Sequence, residues 1–133
     1  MTTLLQSRTL SVSIDCRPDR VYAFVSNPGN LPRWAAGLCK SVSKSDAGWA
    51  VETTEGPMNL RFVEKNSLGV LDHFVSPAPG LEVYVPMRVL PNGSGAEVLL
   101  TLFQLPGMSN EKYAGDAGLV ARDLETLKRV LEK

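Results

Sequence analysis

The stretch Thr9-Leu10-Ser11-Val12-Ser13-Ile14-Asp15-Cys16-Arg17-Pro18-Asp19-Arg20-Val21-Tyr22-Ala23-Phe24-Val25 changes its hydrophobic period halfway along. Up to Ile14 the period is two. Leu10, Val12 and Ile14 alternate with Thr9, Ser11 and Ser13, which describes a strand with one buried face. From Pro18 the spacing turns helical. A proline fits the first helical turn, where its missing N–H costs nothing, and Val21, Tyr22, Phe24 and Val25 supply an apolar stripe. Asn27-Pro28-Gly29-Asn30 ends that helix, because a proline disfavours the helical conformation of the residue before it. Leu31 to Ala36 reads as a second short helix carrying Trp34, and Gly37 closes it.

Beyond Gly37 the period returns to two as far as Leu105, interrupted by turn residues. Six strands are expected: Leu38–Lys44, Trp49–Thr54, Met58–Lys65, Gly69–Ser76, Leu81–Leu90 and Ala96–Leu105. Asp46-Ala47-Gly48, Glu55-Gly56-Pro57, Asn66-Ser67, Pro77-Ala78-Pro79-Gly80 and Pro91-Asn92-Gly93-Ser94-Gly95 separate them. Connections this short mean hairpins and an antiparallel meander. A long helix follows, with Ser109 as N-cap and Glu111 in its first turn. Tyr113, Ala117, Val120, Leu124, Leu127 and Leu131 recur at spacings of four and three along one face. Asp116, Asp123, Glu125, Arg129 and Glu132 lie mostly elsewhere on it. Gly115 and Gly118 each cost up to ~1 kcal/mol against alanine in a helix interior. Tight packing or a bend would account for them; so would room for a cavity.

This order, with Ile14-Asp15-Cys16-Arg17-Pro18-Asp19-Arg20-Val21-Tyr22-Ala23-Phe24, then Asn27-Pro28 and Leu31-Pro32-Arg33-Trp34, resembles the START-like (SRPBCC, helix-grip) superfamily. The likeness is closest to its polyketide cyclase/dehydrase and lipid-transport branch. There the first strand leads into a proline-started helix, an Asp/Asn-Pro turn and a Leu-Pro-Arg-Trp type segment. The resemblance spans essentially the whole chain and implies one helix-grip domain over residues 1–133. The implied architecture is α+β: a curved seven-stranded antiparallel sheet wrapped around the long C-terminal helix, with two short helices after the first strand. A cavity between sheet and helix is implied too. Members bind lipids, sterols, polyketides or other hydrophobic molecules; some cyclise or dehydrate them, some carry them, and some act through protein partners. The superfamily shares no catalytic constellation, so none is carried over.

Composition agrees with a globular chain. Of 133 residues, 44% are hydrophobic and 21% charged, and fourteen basic side chains balance fourteen acidic ones. Zero net charge argues against nucleic acid or an anionic membrane as partner. No apolar run approaches the ~20 residues of a membrane span. Two cysteines and one histidine, outside any ligand spacing, argue against zinc, and no cofactor is expected. Residues 1–15 lack the basic start of a signal peptide, so a cytoplasmic location and free, packed thiols at Cys16 and Cys39 are expected.

Face assignment selects the cavity wall. Met58, Leu60 and Phe62 oppose Asn59, Arg61 and Lys65, and Trp49, Val51 and Thr53 share the concave side. A two-residue Asn66-Ser67 turn pairs Leu60 with His73, turning Leu71, His73 and Val75 inward and Val70, Asp72 and Phe74 outward. The same parity brings in Val83, Val85 and Met87, with Leu99, Thr101 and Phe103 beside them. Tyr113 and Ala117 face them from the helix. The wall is then apolar, with Trp49, His73, Thr101 and Tyr113 as polar handles. Trp34 is either core or a gate over the ligand.

His73 is the first candidate for acid–base work, since its unperturbed pKa lies near neutrality; the alternative is a hydrogen-bonded core histidine. In an apolar cavity its charged form is disfavoured. Asp72 points to the other face, so no Ser-His-Asp triad is supported. Arg88 is expected outward, in a surface ion pair, and Gly93-Ser94-Gly95 is a hairpin turn rather than a phosphate loop. Val70, Phe74, Tyr84, Pro86, Leu100 and Leu102 would form an apolar convex patch, hence a possible homodimer through that face. The expected function is to hold a small hydrophobic, lipid-, polyketide- or aromatic-like molecule against Ala114–Leu131. A cyclase or dehydratase using His73 in the same cavity is the enzymatic alternative. A protein-interaction module with a vestigial cavity is the other.

Overall fold

Alternation buries Val12 and Ile14 on one face of β1 (Ser7–Ile14) and leaves Ser11 and Ser13 exposed. The computed structural model describes residues 4–37, 39–46 and 48–133. Pro18 occupies the first turn of α1 (Pro18–Val25), which buries Val21 and Val25. Asn27 accepts the Gly29 N–H and caps a single 3-10 turn, Pro28–Asn30, that leads into α2 (Leu31–Trp34). Leu31 and Trp34 face the core.

Eight strands in two sheets replace the single seven-stranded sheet expected from the sequence. The strands β2 (Cys39–Ser45), β3 (Gly48–Thr53), β4 (Gly56–Phe62), β5 (His73–Ala78) and β6 (Leu81–Val85) follow one another in the first sheet. β7 (Met87–Asn92) and β8 (Gly95–Phe103) form the second with β1, in the order β1-β8-β7. All pairs are antiparallel. The expected strand Leu81–Leu90 divides at Pro86, which has no N–H to donate to a ladder. Leu38 and Ala47, expected to open a strand and to sit in a turn, lie outside the described residues.

Two connections depart from the expected turns, with opposite consequences. Between β4 and β5 the side chain of Asn66 organises a longer loop. Its Nδ2 donates to the Glu64 and Val70 carbonyls, and its Oδ1 accepts the Leu68 and Val70 N–H groups. His73 therefore pairs with Phe62, and Val75 with Leu60. The slip is two residues, so His73 keeps its predicted face. Gly69 and Leu71 bond to β7 instead, through Leu71 N–H to Met87 O (2.8 Å) and Val89 N–H to Gly69 O (2.9 Å). Gly69 has a positive φ of 74°, and a Cβ there would collide with the Val89 carbonyl.

Between β7 and β8 the slip is odd. The ladder runs on to Asn92 and Gly95, leaving a two-residue Gly93-Ser94 turn where a five-residue loop was expected, and Met87 pairs with Leu100. An odd slip exchanges the faces of a strand. Leu100 and Leu102 thus turn inward, and Leu99, Thr101 and Phe103, expected inside, turn away. The expected convex patch exchanges Leu100 and Leu102 for Leu99 and Phe103, and Phe74 within it is partly covered. The Arg61 guanidinium lies 4.4 Å over the Phe74 ring, itself stacked on Tyr84.

Asp72 holds the break at Pro86. Its buried carboxylate accepts the Tyr84 hydroxyl (2.9 Å), the Met87 N–H (2.9 Å) and the Arg88 guanidinium. Arg88 forms the outward ion pair expected of it, with a partner that is itself nearly enclosed.

α3 (Asn110–Leu131) starts at Ser109, whose hydroxyl accepts the Lys112 N–H at 3.0 Å. It buries Leu124, Leu127 and Leu131 against the core, each worth roughly 1.5–3 kcal/mol on removal from water. Lys128 Nζ donates to the Ser13 carbonyl and Glu132 accepts the Asp15 N–H, which pins the helix end to the exit of β1.

Gly115 and Gly118 satisfy neither expected explanation. Both are exposed on a continuous helix, and a Cβ at either would meet nothing within 4 Å. Gly115→Ala and Gly118→Ala should each raise stability, by about 0.5–1 kcal/mol, in urea denaturation. Asp72→Ala should lower it by about 2–3 kcal/mol, because the Met87 N–H and Arg88 lose their acceptor; Asp72→Asn should recover part of that loss.

Candidate functional site

Residues of the first sheet, α2 and α3 enclose a cavity of about 370 Å³, with Leu100 and Leu102 of β8 contributing to its wall. The volume lies within the ~300–1,000 Å³ range of small-molecule sites. Of the residues predicted to face it, Trp34, Val51, Thr53, Met58, Leu60, Phe62, His73, Val75, Val83 and Val85 do line it. Trp49 packs on the core beside Leu60 without reaching the cavity, and Leu71 and Met87 are fully buried elsewhere in the core. Thr101 and Phe103 lie on the other face of β8, where the Thr101 hydroxyl meets that of Thr9 at 2.8 Å. Tyr113 is buried and donates to the Leu102 carbonyl at 3.0 Å; Ala117 is buried one turn later, and neither lines the cavity. Of the four expected polar handles, the wall retains His73.

His73 opens β5, opposite Phe62 on one side and Val85 on the other. The Phe62 ring is tilted against the imidazole with centroids 4.9 Å apart. His73 Nδ1 lies 3.0 Å from the Leu71 carbonyl, which can only accept. In the neutral ring Nδ1 therefore carries the proton, and Nε2 is left as an acceptor. The ring keeps accessible surface because it lines the cavity, yet protein encloses it. Desolvation holds its pKa below the ordinary 6.5, against the Leu71 hydrogen bond and the Asp72 charge, which pull upward. That direction agrees with the expectation for a cavity-facing histidine.

Three acidic side chains line the same cavity, two of them on α3, where they were expected on the outer face of the helix. Asp123 follows Val120 by three residues and precedes Leu127 by four, which places it inside the apolar stripe. It is 7% exposed, and its Oδ1 accepts the Gly37 N–H at 3.2 Å. Burial pushes its carboxyl pKa up, against the Gly37 hydrogen bond and the Arg122 charge. Cys39 lines the wall nearby, and burial with the Asp123 charge pushes its thiol pKa up as well. A raised thiol is a poor nucleophile, which makes Cys39 wall rather than reagent. Lys112 Nζ sits 2.7 Å from Glu55 and 2.8 Å from Asp116, joining the β3–β4 turn to α3.

Trp34 packs in the core, 5% exposed, and also forms part of the cavity wall. Its indole N–H is enclosed by protein and has no hydrogen-bond partner among the described residues. Cys16 and Cys39 are free and buried. Among the described residues no group of three or more His, Cys, Asp or Glu could hold a metal, and no helix is long and apolar enough to cross a membrane.

With its pKa lowered, His73 binds fewer protons in the folded chain than in the unfolded chain between the folded value and 6.5. Stability should rise with pH across that window and be lost as pH falls through it. NMR titration should place the imidazole midpoint below 6.5, and His73→Leu should remove this part of the pH dependence of unfolding. A midpoint at or above 6.5 would show that desolvation does not dominate at this ring.

Solved structures similar to this chain include the protein XoxI from Bacillus cereus, with a TM-score of 0.78, 18% identity and 96% of each chain covered. The di-domain ARO/CYC BexL from the BE-7585A biosynthetic pathway superposes with a TM-score of 0.71 and 17% identity, over 94% of this chain and 46% of that one. A START superfamily protein from Mycobacterium smegmatis gives 0.65 and 13%, over 94% and 98%. No family profile matches the chain, and no curated protein does. At such identities the likeness is one of architecture, and the architecture of this chain is the START-like helix-grip fold.

Proposed function

We propose that this protein binds a small hydrophobic molecule in the cavity between its five-stranded sheet and α3. The observation that carries the reading is a 370 Å³ space walled by Val51, Leu60, Phe62, Val83, Val85 and Leu100, with the His73 acceptor set among them. An apolar wall supplies affinity through burial, and the His73 acceptor orients the ligand by a hydroxyl or amine. A cavity of this size also counts against a protein-interaction module whose cavity is vestigial.

A cyclase or dehydratase-type activity in the same cavity is the second reading. It is favoured by the likeness in fold to the ARO/CYC protein BexL and by the free Nε2 of a neutral imidazole. In that reading the wall folds the substrate and His73 accepts a proton from it, positioning supplying most of the rate.

Native mass spectrometry of the purified protein should show a retained hydrophobic adduct, or else uptake of the neutral dye Nile red at one site. His73→Leu should weaken 2-naphthol by about 1–3 kcal/mol through loss of its acceptor, while naphthalene binds as well or better. Absence of both adduct and dye binding would overturn the reading.

A further inference from the structure

Besides the Trp34 indole N–H, a donor without a partner among the described residues, the cavity wall carries two ring or carboxylate acceptors outside the Lys112 ion pairs. His73 Nε2 is one, since Nδ1–H is engaged by Leu71 O. The Asp123 carboxylate is the other. Gly37 makes room for it: a Cβ at Gly37 would come within 2.9 Å of Asp123 Oδ1, tighter than real side chains allow. The backbone thus approaches the carboxylate closely enough to donate one N–H, between Trp34 and Cys39 on the flanking elements, both of which line the cavity. Among the described residues the second oxygen has no hydrogen-bond partner, and the neighbouring Arg122 is exposed on the outside of the helix.

Charge points the same way. Glu55, Asp116 and Asp123 line the cavity with Lys112 as their cationic counterpart. Lys112 is engaged by Glu55 and Asp116 together. Among the described residues Asp123 is left without an ion-pair partner, and the charge of Arg122 acts on it from the outside of the helix. A carboxylate so placed is costly unless a partner neutralises it, and a ligand ammonium would do so while shedding its own desolvation cost. A ligand carboxylate would add a fourth negative group.

We infer that the hydrophobic ligand carries a protonated amine, which the Asp123 carboxylate receives inside the cavity. The inference rests on the ligand-binding reading proposed above and specifies its ligand class. The amine end lies toward α2 and α3, and the apolar body lies along Val51, Leu60 and Val85.

The test is a charge series on one scaffold: 2-naphthylmethylamine, 2-naphthalenemethanol and 2-naphthoate, measured by displacement of Nile red and by calorimetry. The wild-type protein should bind the amine about tenfold or more tighter than the alcohol, and the naphthoate weakest, as for a charge-assisted against a neutral hydrogen bond. Asp123→Asn keeps an acceptor for Gly37 N–H while removing the charge. It should cost the amine about tenfold and leave the alcohol within about twofold. Equal binding of the three probes to wild type, or an amine preference that survives in Asp123→Asn, would overturn the inference while the ligand-binding reading stands. Failure of dye and all three probes would overturn both. The wild-type series decides the matter by itself if the variant does not fold.

Discussion

The chain depends on how it survives Pro86. A strand that ran unbroken from Leu81 to Leu90 would keep the meander in one sheet, but proline removes a ladder donor in the middle of it. Asp72 compensates from the neighbouring segment by taking the Tyr84 hydroxyl, the Met87 N–H and the Arg88 guanidinium on one carboxylate. Tyr84 belongs to the five-stranded sheet and Met87 to the three-stranded one, so this carboxylate ties the two together where the backbone passes between them. The first sheet ends at β6, and its inner face supplies much of the cavity wall.

The second constraint is the double use of α3. Leu124, Leu127 and Leu131 anchor its C-terminal half, and Lys128 and Glu132 fasten its end to the exit of β1. Its N-terminal half presents Lys112 and Asp116 to the cavity, where Lys112 also reaches Glu55 on the β3–β4 turn. Exposed ion pairs are worth little in stability, about 0–1 kcal/mol. Their value here is positional, since they hold the helix against the sheet beside the cavity without filling it. Asp123 stands at the junction of the two halves, which is why one carboxylate can both bond the α2–β2 loop and face the cavity.

Much of the fold was legible in the residues because it rests on local rules. The change of period at Asp15-Cys16-Arg17, the proline-started α1, the Asn27-Pro28 stop, and Ser109 as the cap of a long amphipathic helix are short-range statements, and each stands in the structure as read. His73 kept its face even though its partner changed, because Asn66 lengthened the connection by an even slip. Most of the first-sheet wall survived for the same reason: Val51, Thr53, Met58, Leu60, Phe62, Val75, Val83 and Val85 needed only parity within that sheet.

Sequence by itself determined the element order, the alternation within each strand, the apolar stripe of α3 and the even balance of charge. The tertiary structure decided the rest, and its decisions came from groups whose effect is not local. A two-residue turn at Gly93-Ser94 exchanged the faces of β8, sending Leu100 and Leu102 into the cavity and Thr101 and Phe103 out of it. Asp72 became a buried knot because three donors converge on it from residues 12 to 16 positions away. Asp123 came to face the cavity because the loop at Gly37, 86 residues earlier, closes against its carboxylate. Periodicity states which side of an element is apolar. Which polar residue the apolar side will tolerate depends on donors brought from elsewhere in the chain, and only folding brings them.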